Sequence, residues 1–87
     1  MNIVVVDDDN IIRMGLAKIV EKLSDDYKVS ASFQNGALAL EYLKKNGQDI
    51  DLVITDIKMP LMTGVELIEA SISELEKPPL FIVLSGY

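Results

Sequence analysis

The chain has 87 residues, of which 49% are hydrophobic, with no cysteine and no histidine, and 8 basic against 14 acidic residues give a formal charge of −6. These values exclude a disulfide framework and thiol or imidazole chemistry, and they speak against disorder and against direct contact with nucleic acid. One domain with a lean core is expected, because a chain this short buries only about 60–65% of its unfolded surface.

In chain order, Ile3-Val4-Val5-Val6 reads as a fully buried strand ending at Asp7-Asp8-Asp9. Asn10 to Lys22 predicts a helix, with Ile12, Leu16, Ile19, Val20 and Leu23 at helical spacing and Asp8 or Asp9 as its cap. Tyr27 to Phe33 alternates with period two, as an edge strand does. Asn35 caps a second predicted helix that runs through Lys45, with Gly47 at its C′ position. Leu52 to Thr55 is a further buried strand, delivering Asp56. Thr63-Gly64-Val65-Glu66 has the spacing of a capping box and opens a third helix to about Glu76, with Val65, Ile68, Ile72 and Leu75 roughly on one face. Pro78-Pro79 blocks further helix, and Leu80 to Leu84 is a fourth apolar strand followed by Ser85-Gly86-Tyr87. No run approaches the length of a membrane span, and Asn2–Val6 is too short and lacks a basic leader for a secretion signal. A cytoplasmic location without a membrane partner is therefore expected.

Strands alternating with helices predict an α/β fold of three layers, a parallel sheet with helices on both faces. Ligands of such sheets lie at the carboxyl ends of the strands. If the first, third and fourth strands are neighbours, Asp7, Asp8, Asp56 and Ser85 meet in one crevice. Folding alone does not call for this, because like charges about 4 Å apart repel by roughly 4 kcal/mol per pair at an effective dielectric near 20. One Asp suffices for a helix cap, so three in a row point to more. Mg²⁺ takes oxygen ligands, typically one or two carboxylates with water and phosphate oxygens, and Asp8 with Asp56 could supply that pair. A carboxylate can also attack phosphorus to form an aspartyl phosphate.

The segments Ile3 to Asp9, Ile54-Thr55-Asp56-Ile57-Lys58-Met59-Pro60 with Gly64, and Ile82 to Tyr87 together resemble the receiver domain of two-component response regulators, in order and spacing over the whole chain. Ile12 to Leu16 and Leu84 to Tyr87 are similar to receivers joined to AraC-type DNA-binding domains. The resemblance implies a CheY-like, flavodoxin-like sheet of order 2-1-3-4. It implies Asp56 as phosphoacceptor, Asp7 and Asp8 as the acidic pair for Mg²⁺, and the backbone carbonyl of Lys58 as a further metal ligand with its side chain outward. It also implies Ser85 as the switch hydroxyl facing the phosphoryl group, and a sensor histidine kinase as donor.

The family's fifth strand, last two helices and the Lys after strand five have no counterpart in these 87 residues, and Lys77-Pro78 precedes strand four. Residues 1–87 are therefore expected to be a partial receiver domain, weakly active or inactive. The exposed fourth strand is expected to drive formation of a homo-oligomer. Two other readings are a haloacid-dehalogenase-like phosphatase, with Asp7 as nucleophile and Asp9 as acid/base, and an assembly module without signalling.

Overall fold

The computed structural model describes residues 1–84. Strands β1 (Asn2–Val6), β2 (Lys28–Phe33), β3 (Leu52–Asp56) and β4 (Leu80–Leu84) form one parallel sheet of order β2-β1-β3-β4. Helices α1 (Asn10–Leu23), α2 (Gly36–Asn46) and α3 (Gly64–Glu74) supply the crossovers, and a short 3-10 turn spans Gly47–Asp49. The expected three-layer fold and strand order are thus observed. The central strands β1 and β3 are the most buried ones, as a sheet covered on both faces requires. Val4, Val6 and Val53 pack with Ala39, Leu40 and Leu43 of α2 and Leu67 of α3, and on the other face Ile3, Val5 and Ile54 pack with Val20 of α1. Strands β1 and β3 are in simple register, Ile3 opposite Leu52 through Val6 opposite Thr55, so Asp7 follows directly beside Asp56.

Three details depart from the sequence expectation. On α1 the sheet-facing residues are Val20 and Leu16, while Ile12, Ile19 and Leu23 are exposed. The Glu21 carboxylate accepts a bond from the Val29 amide of β2 (3.2 Å). At 100° per residue the Ile12/Ile19/Leu23 stripe then lies on the opposite flank, toward β3 and β4. On α3 the buried face is Gly64, Leu67 and Ser71, whereas Val65 and Ile72 are exposed. The Glu74–Lys44 ion pair (2.7 Å) marks the flank of α3 that faces α2, so Val65 and Ile72 again lie on the β4 side. Finally, Gly47 is not a left-handed cap. It stays right-handed (φ −60°), donates to the Leu43 carbonyl and carries the chain into the 3-10 turn.

Among the described residues, strand β4 is an edge of this sheet. As expected of the fourth strand, it is exposed despite its apolar composition: Leu80, Ile82 and Val83 are 72%, 49% and 38% exposed.

Candidate functional site

The site is built by two strand ends and the loops that leave them. The β1 ladder continues one residue beyond the strand, with the Asp7 amide donating to the Phe33 carbonyl (3.0 Å). This pins Asp7, whose side chain is buried and accepts from the Asp9 amide through Oδ1 (2.9 Å). Asp9 turns outward and caps α1, its Oδ1 accepting from the Ile11 and Ile12 amides (2.9 and 3.1 Å). The capping duty expected of Asp8 or Asp9 therefore falls to Asp9, which leaves Asp8 exposed and outside the hydrogen bonds of the described residues.

Asp56 closes β3. Its Oδ1 accepts from the Ile57 amide (2.7 Å), and the buried Thr55 hydroxyl donates to the Asp56 carbonyl (3.0 Å). The following loop folds back so that the Gly64 amide donates to the Ile57 carbonyl (2.9 Å). A Cβ on Gly64 would stand 2.3 Å from the Asp56 carbonyl oxygen, so this approach requires glycine. Met59 is buried in the core while Lys58 is exposed, as an outward side chain requires. Gly64 also opens α3, capped by Thr63 in a complete capping box with Glu66.

One carboxylate oxygen from each of Asp7, Asp8 and Asp56 lies within 4.8 Å of the others. The three acids singled out by sequence thus converge. The donor set is all oxygen and anionic, which suits a hard dication. Asp7, Asp8 and Asp56 would hold such an ion, Mg²⁺ among them, which takes oxygen ligands. The crowding has an electrostatic signature. Burial raises the Asp7 carboxyl above its ordinary 3.8, and the charges of Asp56, Asp8 and Asp9 push the same way against the bond from the Asp9 amide. Ser85, the fourth expected member, lies outside the described residues. The last described residue of β4, Leu84, pairs with Asp56 across the sheet.

Sequence reasoning missed Arg13. Its guanidinium donates to the Asp7 carbonyl (2.8 Å) and to the Asn10 side-chain oxygen. No spacing rule announces such a contact, because the acceptor is a backbone oxygen.

A parallel α/β sheet that gathers three carboxylates at its carboxyl edge defines the class: a CheY-like fold with an acidic crevice. The model of the response regulator receiver domain matches residues 3–87, and the chain belongs to that family. It is 41% identical over 85 residues to the transcriptional regulatory protein YesN of Bacillus subtilis, covering 98% of this chain but 22% of YesN. Among solved structures it is similar to the CheX-CheY-BeF3-Mg²⁺ complex of Borrelia burgdorferi (TM-score 0.87, 26% identity, all of this chain and 63% of that one). It is also similar to the complex of the CheA3 P1 domain with CheY6 of R. sphaeroides (TM-score 0.77, 32% identity, 99% of this chain and 64% of that one). The chain thus spans under a quarter of YesN and under two thirds of these structural relatives. Among the described residues, no helix is long and apolar enough to cross a membrane.

Proposed function

We propose that this receiver accepts a phosphoryl group on Asp56 in two-component signalling. The observation that carries the reading is the convergence of Asp7, Asp8 and Asp56 at the carboxyl edge of the sheet. Asp56 Oδ1 is held by the Ile57 amide, which fixes the carboxylate plane and leaves Oδ2 outside the hydrogen bonds of the described residues. A carboxylate oxygen attacks the donor phosphorus, the bond from phosphorus to the donor atom breaks, and the leaving group departs with its electron pair. Asp7, Asp8, Asp56 and the Lys58 carbonyl would hold Mg²⁺, which neutralises charge on the phosphoryl oxygens when bound. Ser85 would donate a hydrogen bond to one of those oxygens.

The donor in this reading is a phosphohistidine on a sensor kinase. The protein is then a substrate of phosphotransfer and not a turnover enzyme, acts in the cytoplasm and makes no direct nucleic-acid contact with this domain. The Mg²⁺-containing CheY complex and the CheA3 P1 complex of its structural relatives support the cation and a protein partner. Two features predict slow phosphorylation of these 87 residues. After Asp56 the only cations in the sequence are Lys58 and Lys77. The first is exposed, and the second precedes β4 and so lies at the opposite end of the sheet.

The phosphatase alternative is disfavoured by Asp9, whose carboxylate is spent on the α1 cap. A second reading rests on exposure: β4 and the apolar flanks of α1 and α3 make a surface suited to a second copy of the chain.

Intact-mass spectrometry after incubation with Mg²⁺ and a small phosphodonor tests the main reading. A single phosphoryl adduct that is lost in Asp56→Asn is expected. An adduct that survives this substitution would overturn it, and no adduct on protein that binds Mg²⁺ would show that residues 1–87 are not by themselves an active receiver.

A further inference from the structure

Beyond the Asp7 amide bond to the Phe33 carbonyl, the turn that carries Asp7 and Asp8 is tied to Arg13. The Arg13 amide donates to the Asp9 carbonyl (2.9 Å), and its guanidinium reaches back to the Asp7 carbonyl (2.8 Å) and the Asn10 side-chain oxygen. Three of the four positions from Asp7 to Asn10 are thereby tied to Arg13. The fourth, Asp8, is carried between them, and its carboxylate is the exposed member of the triad.

The guanidinium makes no ion pair among the described residues, although three carboxylates stand within the same turn. Its planar fork is spent on a carbonyl and an amide oxygen. A cation aimed at the carboxylates would compete with a metal ion. A cation aimed at the backbone fixes the turn and leaves the carboxylate charge available.

We infer that Arg13 is a positioning residue that sets the affinity of the Asp7–Asp8–Asp56 crevice for a divalent cation by fixing the Asp7–Asn10 turn. The inference rests on the reading that this crevice holds Mg²⁺. The sign of its effect separates it from plain electrostatics. Removing a positive charge from the rim of a cation site should tighten Mg²⁺ binding, because like charges repel. Removing a positioning contact behind the ligands should weaken it, typically by tenfold or more.

The test is calorimetric titration of Mg²⁺ into the wild-type protein, Arg13→Gln, Arg13→Lys and Asn10→Ala. It is joined by hydrogen exchange of the Asp9 amide in the metal-free proteins. Arg13→Gln is expected to bind Mg²⁺ about tenfold more weakly. Arg13→Lys keeps the charge but cannot span both acceptors, so it should lose nearly as much. Asn10→Ala removes one arm at an exposed position and should lose about two- to threefold, in keeping with a partial loss of the supporting contacts. In the metal-free Arg13 variants the Asp9 amide, which donates to Asp7 Oδ1, should exchange faster. Unchanged or tighter Mg²⁺ binding in Arg13→Gln, or full binding in Arg13→Lys, would overturn the inference while leaving the Mg²⁺ site standing. Absence of Mg²⁺ binding by the wild-type protein would overturn the site itself and the inference with it. If Arg13→Gln does not fold, Asn10→Ala decides: wild-type affinity and exchange there would overturn the inference.

Discussion

Asp7 shows what the site costs. It is buried, it stands beside two other carboxylates, and its carboxyl is raised above 3.8 by burial first and by Asp56, Asp8 and Asp9 next. Between the unfolded value and the raised native value, the folded chain binds more proton than the unfolded chain. Stability of the metal-free protein therefore falls as pH rises through that interval, and the penalty stays in full at neutral pH. Asp7→Asn removes the charge and keeps an oxygen for the Asp9 amide. It is expected to stabilise the metal-free protein by roughly 1–4 kcal/mol near neutral pH, the range for like charges about 4 Å apart between water and an effective dielectric near 20. Urea melts at pH 4 and pH 7 check this, and the gain should shrink at the lower pH. Mg²⁺ should reverse the ranking, because a ligand that binds only the native state stabilises in proportion to its affinity. A variant less stable than wild type without Mg²⁺ at pH 7 would remove the repulsion argument.

At the scale of elements, α3 depends on a cap legible from four letters. Thr63 Oγ1 accepts from the Glu66 amide (3.1 Å) and Glu66 Oε1 from the Thr63 amide (3.0 Å). Thr63→Ala should cost about 1 kcal/mol in a chemical melt. Since Gly64 and Asp56 are in contact through the same loop, it should also slow phosphorylation of Asp56. The strands were equally legible, because continuous apolar runs such as Ile3–Val6 and Leu52–Thr55 admit few other readings. The convergence of Asp7, Asp8 and Asp56 followed from strand order alone. Helix faces were not legible. α1 and α3 each carry more apolar residues than one sheet-facing stripe needs, and periodicity cannot tell Leu67 from Ile68 as the buried one. Nor could it tell which aspartate caps α1, a matter of backbone geometry at Asp9, or that Arg13 bonds a carbonyl of the crevice. Gly47 follows α2 where the sequence put it, but in a right-handed conformation, because glycine tolerates a left-handed turn without requiring one.

At the scale of the sheet as a whole, the decisive feature among the described residues is asymmetry. The β2 side of the sheet ends in an edge of mixed polarity, Lys28 and Ser32 being exposed, whereas the β4 side ends in five apolar residues. Both helical layers add to this side, α1 with Ile12, Ile19 and Leu23 and α3 with Val65 and Ile72. A long apolar edge strand templates pairing with another chain. The net charge of −6 opposes that pairing at long range, and salt screens it with a Debye length of about 8 Å at 0.15 M. Association should therefore strengthen between low and moderate salt, as burial of apolar surface persists while repulsion fades. Light scattering after gel filtration is expected to give at least a dimer at micromolar concentration. Ile82→Lys places a charge on the half-exposed face of β4 and should shift the protein toward monomer, as charged edge strands do in natural sheets. Because Ile82 is already half exposed, its own fold should lose little. A wild-type protein that stays monomeric and unfolds sharply at every salt concentration would show that the β4 face is tolerated without a partner. An Ile82→Lys protein that keeps the wild-type mass would move the interface to the helical stripes.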